Sequence, residues 1–343
     1  MYFIIIACAS FRQPAVSVEP GAPAAVRLRP GSRHRHRGGE RERLRAHASR
    51  RLHVGAARVI GGSGNVDGDR SSFNAFMEFL STPLSDAQPF VLETKQALSL
   101  HFDHLSTQSF MSLDEPDRLV LGYTRAMMGF LLLQPRPRHI CMVGLGGGSM
   151  AKYCHARLPG TAVTAVEINP EVIALRDVFR IPVDDARFEV VQADGAEHMR
   201  VAAARSDVIL LDAFVAQGMP AQCASAAFFA ACRERLADAG VLVVNLADCD
   251  PALPEHVERL RSAFGTSYAL FAVRDSGNYV AFAWKGAHRL PAGQALLERA
   301  RALGDAHPLE LASTARSLKR GERFDPARFV RHANAPLRWR IAA

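Results

Sequence analysis

Residues 141–169 read CMVGLGGGSMAKYCHARLPGTAVTAVEIN. An apolar strand runs into a turn carrying Gly144, Gly146, Gly147 and Gly148, then a helix, then a second apolar strand that ends on Glu167. Glycines in a strand-to-helix turn let the backbone approach a ligand, and an acid about 20 residues on can accept hydrogen bonds from ribose hydroxyls. Glu167 stands 21 residues past Gly146. The stretch predicts a βαβ unit that handles a nucleotide or nucleoside.

Three further apolar runs rich in Val, Ile or Leu follow at 188–192, 207–212 and 240–246. Helix-period segments separate them: 171–179 behind an Asn169-Pro170 start signal, then 196–204, then 225–236. Nearly apolar strands alternating with helices make a parallel sheet covered on both faces. After a sixth run at 267–273, the turn 274–278 leads straight into 279–284, which reads as a β-hairpin and not a crossover helix. The expected class is α/β, a Rossmann-like doubly wound sheet ending in an antiparallel hairpin.

Ligands of such sheets lie beyond the carboxyl ends of the strands. Glu167 ends the second strand, Asp194 follows the third and Asp212 ends the fourth. Each alone reads equally well as a solvated loop residue or a helix cap. Together, beside a glycine turn, they outline a site. Glu167 suits a ribose diol and Asp194 an adenine amino group. An adenosyl sulfonium, positively charged beside its ribose, fits these acids better than a dinucleotide, whose pyrophosphate calls for a dipole or a cation.

From about residue 90 to 246 the chain resembles the spermidine synthase family, aminopropyltransferases that use decarboxylated S-adenosylmethionine on the S-adenosylmethionine-dependent methyltransferase fold. The matching pieces are Val-Leu-Glu-Thr-Lys at 91–95, the Tyr123 region, the glycine turn, Val-Glu-Ile-Asn-Pro-Glu-Val-Ile at 166–173, Asp-Gly-Ala-Glu at 194–197, and Asp212. The resemblance implies a small β domain ahead of the Rossmann part, for which 90–94, 97–102 and 108–112 supply extended runs, and a connecting helix at 119–133. It implies that Glu167 holds the ribose, that Asp194 and Gly195 recognise adenine, and that Asp212, with Tyr123 beside the acceptor, takes a proton from the attacking amine. It also implies a dimer and no metal.

Three positions depart from the family pattern. The turn Asp that contacts the aminopropyl ammonium is Gly147 here. A second Asp three residues after the first is Val215. The helix pattern Tyr, His or Gln, Glu becomes Tyr123, Thr124, Arg125. Each change removes or reverses a partner for an ammonium group, and a hydrogen bond to a charged group is worth about 1.5–3 kcal/mol. The reading is an aminopropyltransferase-family enzyme with an altered small-molecule acceptor. The alternatives are a methyltransferase using S-adenosylmethionine, whose carboxylate an Asp at 147 would repel, and a catalytically silent nucleoside-binding protein.

The 343-residue chain carries a formal net charge of +8, yet residues 1–70 hold 13 Arg against 5 acids and supply all of it. Residues 71–343 carry 29 basic and 29 acidic side chains, so nucleic-acid binding by the folded body is not expected. No apolar run approaches the ~20 residues of a membrane span. The six cysteines form no Cys-x-x-Cys pair and read as reduced thiols in the cytoplasm. The expected organisation is an Arg-rich disordered arm at 1–76, with Met77 as a candidate start, a small β domain at 77–117, the catalytic domain at 118–286, and a helical extension at 287–343.

Overall fold

The structure, a computed structural model, describes residues 51–54, 57–60, 89–102, 107–215, 218–274, 276–286 and 290–321. In strand β6 (His139–Val143), Ile140 and Met142 pack into one hydrophobic core while Cys141 and Val143 pack into another on the opposite face. Because side chains alternate across a strand, a strand buried on both faces must be apolar throughout. Residues 208–211 of β9 (Ser206–Leu211) and 241–244 of β10 (Leu236–Ala247) alternate between the two cores in the same way, and Val163, Ala165 and Val166 of β7 (Ala162–Glu167) divide between them.

The seven-stranded sheet has the order β11-β12-β10-β9-β6-β7-β8, with β8 at Phe188–Gln192, β11 at Tyr268–Val273 and β12 at Asn278–Trp284. Strands β8, β7, β6, β9 and β10 run parallel, and β12 pairs antiparallel with both β10 and β11. The chain therefore steps from β6 out to β8, then returns to lay β9 on the other side of β6. That reversal is where a doubly wound sheet opens a crevice at its carboxyl edge.

Helix starts follow local chemistry. The Asn169 side chain accepts from the Glu171 amide ahead of α3 (Pro170–Ala174), Asp194 caps α4 (Gly195–Val201) and Ser225 caps α5 (Ala226–Arg235). Helix α1 (Gly122–Met127) passes into a 3₁₀ turn at Met128–Leu132, so the single helix expected at 119–133 is divided. Gly129 lies in this turn where a Cβ would stand 2.5 Å from Thr314 Cγ2. The expected helix at 171–179 keeps only α3 as regular α-helix. Helix α2 (Ser149–Arg157) follows the glycine turn as expected. Helix α6 (Leu253–Phe264) was not anticipated, although Leu253, Val257, Leu260 and Phe264 recur at helical spacing and are buried.

A five-stranded antiparallel sheet, in the order β1-β2-β3-β4-β5, precedes the larger one. Strands β3 (Phe90–Glu93), β4 (Ala97–His101) and β5 (Ser109–Ser112) occupy the expected runs. Strands β1 (Arg51–Val54) and β2 (Ala57–Ile60) come from within the segment read as a disordered arm. Residues 51–54 and 57–60 are therefore corrected to sheet. Both strands carry Val or Ile among basic residues, and the pairing of β1 with β2 and of β2 with β3 supplies a ladder that composition does not reveal. The remainder of 1–76 and Met77 lie outside the described residues.

Beyond the hairpin, α7 (Gly293–Leu303) and α8 (Leu311–Gly321) pack against each other, on the 3₁₀ turn and on β11. Leu296, Leu311, Ala315 and Leu318 enter the core that also holds Met142 and Phe282. Cys141, Cys154, Cys223 and Cys232 are free and buried, whereas Cys249 is disulfide-bonded and departs from the all-thiol expectation. Burial pushes the Cys141, Cys154 and Cys223 thiols up to about 12, so they stay protonated near neutral pH. Among the described residues no helix is long and apolar enough to cross a membrane.

Candidate active site

At the carboxyl edge of the parallel strands lies a cavity of about 620 Å³, within the range of small-molecule sites. Gly144, Gly146, Glu167, Asp194, Gly195, Asp212 and Tyr123 all line it. Gly144 follows β6 with φ +96°, and a Cβ there would fall 2.2 Å from the Asp212 carbonyl oxygen. Only glycine lets the ends of β6 and β9 approach so closely. Gly147 and Gly148 face inward instead. A Cβ on Gly147 would stand 2.7 Å from Ser109 Oγ and 2.9 Å from Phe179, and one on Gly148 would meet Ile181. The space of the family's turn Asp is thus already filled by Ser109 and Phe179.

The Glu167 carboxylate is fixed before any ligand arrives. Its Oε2 accepts from the Leu145 amide at 3.0 Å and its Oε1 from the Asn169 amide at 2.9 Å. These bonds tie the tip of β7 to the glycine turn. Asp194 Oδ1 accepts from the amides of Ala196 at 2.7 Å and Glu197 at 3.1 Å, so its helix-cap role is real and coexists with a place on the cavity wall. Gly195, which begins α4, packs against Val143.

Asp212 follows β9 and is half-buried. Tyr123 on α1 donates its hydroxyl to Asp212 Oδ2 at 3.3 Å, and Asn245 Nδ2 on β10 donates to Oδ1 at 2.8 Å. Burial pushes the Asp212 carboxyl up to about 6, and the two hydrogen bonds partly oppose it. Burial and the neighbouring carboxylate hold the Tyr123 hydroxyl well above its ordinary range, so Tyr123 serves as a donor and not as a base. A carboxylate with a raised pKa, oriented by two donors at a cavity wall, has the properties of a general base.

Of the altered positions, Val215 is part-exposed on the cavity wall. The Arg125 guanidinium is committed to the carbonyls of Leu119 at 3.0 Å and Val120 at 2.5 Å, so its charge is spent on its own helix entry. Lining residues that the sequence did not point to include Asn245, Asn278, Asp250 and Ser149. Asn245, 2 % exposed, is a polar interruption in the apolar run Val-Leu-Val-Val-Asn-Leu, which was a usable signal. Asp250 Oδ2 pairs with buried His256 at 3.1 Å, and nothing local in the sequence announced that pair. No group of three His, Cys, Asp or Glu is placed to hold a metal among the described residues.

A parallel sheet of this order with a terminal hairpin, and acids at its tips beside a glycine turn, defines the methyltransferase-type α/β class. A probable spermidine synthase from Corynebacterium glutamicum has a similar fold, with a TM-score of 0.51, 17% identity, and coverage of 75% of this chain and 87% of that one. The Spermine/spermidine synthase domain model matches residues 120–265. A polyamine aminopropyltransferase of Neisseria meningitidis serogroup A is 38% identical over 223 residues, 64% of this chain and 85% of the relative. One from Chromobacterium violaceum is 36% identical over 240 residues, covering 69% and 92%. The chain belongs to the spermine/spermidine synthase family and is a transferase.

Proposed function

We propose that the protein transfers an aminopropyl group from decarboxylated S-adenosylmethionine to a small amine. The observation that carries this reading is Asp212, raised to about 6 and held by Tyr123 and Asn245 on the cavity wall that it shares with Glu167. The donor's ribose hydroxyls bind Glu167, and its adenine amino group donates to Asp194. An acceptor amine is protonated in water, with a pKa near the ~10.4 of lysine, and must lose a proton to attack. Asp212 accepts that proton. The nitrogen lone pair then attacks the carbon bonded to sulfur, the C–S bond breaks, and its electrons neutralise the sulfonium to a thioether. Raising Asp212 from 3.8 to about 6 narrows the pKa gap to the amine and eases the proton transfer. Much of the remaining acceleration comes from holding nitrogen, carbon and sulfur in line.

With Gly147 and Val215 in place of acids, the acceptor is read as an amine with fewer charges than a typical polyamine. A homodimer, from the family resemblance, and a cytoplasmic location, from the free buried cysteines, complete the reading. The test is incubation with decarboxylated S-adenosylmethionine and a panel of mono- and diamines, with methylthioadenosine release and product mass measured. No methylthioadenosine with any amine refutes the assignment.

The alternative weighed from the sequence, methyl transfer from S-adenosylmethionine, is compatible with Gly147 but is not favoured by the family relatives. Ser109 and Phe179 leave no room there for the acid that would repel a donor carboxylate. Calorimetry decides between them: tighter binding of S-adenosylmethionine than of its decarboxylated form selects methyl transfer.

A further inference from the structure

Three side chains form a relay across three neighbouring strands. Asp212 follows β9, Asn245 lies in β10 and Asn278 opens β12. Asn245 Nδ2 donates to Asp212 Oδ1 at 2.8 Å, and Asn278 Nδ2 donates to Asn245 Oδ1 at 3.0 Å. The direction of this relay is chemically forced. An ionised carboxylate only accepts, so Asn245 must face it with nitrogen, which turns its oxygen to Asn278 and obliges Asn278 to answer with nitrogen. The relay ends on Asn278 Oδ1, the one buried side-chain nitrogen or oxygen with no hydrogen-bond partner among the described residues. Buried acceptors are nearly always satisfied, so an unmet one needs a cause. Here the cause is the charge on Asp212, which sets both amides.

We propose, resting on the reading of Asp212 as the proton acceptor, that Asn278 is a positioning residue which acts through Asn245 to hold Asp212 oriented and ionised. The backbone leaves the side chain free for this task. Asn278 pairs with Ala247 of β10 and Val273 of β11 in the ladder whatever side chain it carries. Asn245 is too deeply buried to take a replacement partner from bulk water. Few other groups compete for Asp212. Tyr123 from α1 donates to Oδ2, while the carboxylates of Glu167, Asp194 and Asp250 are engaged by backbone amides or by His256. Arg125 of α1 is bound to carbonyls, and Asp248 lies near Gly277, in the turn before β12. Without Asn278, Asn245 loses the contact that fixes its amide, the donor to Oδ1 is no longer held, and burial acts on Asp212 with less opposition.

The test is a carboxyl ¹³C titration of the ligand-free protein labelled at aspartate, with the Asp212 signal assigned by its absence in Asp212→Asn. Asn278→Leu, close to isosteric, should raise the Asp212 midpoint by ~1 pH unit. The acid limb of kcat/KM should move by the same amount, with donor affinity unchanged by calorimetry. In the wild-type protein, which needs no variant to fold, the Asn278 side-chain amide protons should titrate with the Asp212 midpoint. An unmoved Asp212 midpoint in folded Asn278→Leu, or an Asn278 amide indifferent to pH across that range, overturns the proposal. Because the titrations need no substrate, they decide the relay even if no amine proves to be an acceptor.

Discussion

At the scale of single residues, Asp212 carries the heaviest demand. Asp212→Asn keeps the shape and removes the base, so kcat should fall on the order of 10²- to 10⁴-fold while calorimetric affinity for methylthioadenosine stays nearly intact. Equal loss of both would reassign the residue to binding. The wild-type rate should rise with pH through about 6, as Asp212 loses its proton. Stability runs the other way. The folded state raises this pKa, so it holds the proton more tightly than the unfolded chain, and stability declines as pH climbs from about 4 to 6. Asp212→Asn should therefore match wild type in thermal unfolding near pH 4. At pH 7 it should exceed wild type by ~1–2 kcal/mol, allowing for partial solvation of the half-buried group. An equal stability difference at both pH values would remove the burial argument.

At the scale of elements, the glycine turn and the strand tips explain why some residues were legible and others were not. Gly144, Glu167, Asp194 and Asp212 sit where local patterning changes from strand to turn, so their places followed from the periodicity of their own segments. Gly147 shows the limit of that method. Its sequence position suggests an open slot, whereas Ser109 from β5 and Phe179 from beyond α3 fill it. Gly147→Asp should accordingly cost ~1–3 kcal/mol in chemical denaturation and bring no gain in turnover. A stable, more active Gly147→Asp enzyme would show that the slot can open. Asn278, by contrast, looks like an ordinary turn residue, and its link to Asp212 exists only because β12 pairs with β10 and β10 with β9.

At the scale of the molecule, two cores clamp the sheet, and the final helices belong to one of them. Leu296 and Leu318 are fully buried on the same face as the 3₁₀ turn and β11, so 290–321 packs into the same core as the parallel sheet. Leu318→Ala should cost ~2–5 kcal/mol by denaturant unfolding. A change under about 0.5 kcal/mol would mean that the helix docks without supporting the core. The positive charge of the whole chain misleads at this scale, because it resides in residues 1–70 while the remainder is balanced.

The sequence alone determined the alternation of strands and helices, the terminal hairpin, the chemical identity of the acids and the family, since each is written in local periodicity or a contiguous motif. It did not determine the inclusion of residues 51–54 and 57–60 in a sheet, the filled space at Gly147, or the relay from Asn278 to Asp212. Those were decided by tertiary structure. They depend on which distant segments become neighbours, and strand order and side-chain packing are non-local outcomes that no single stretch of chain encodes.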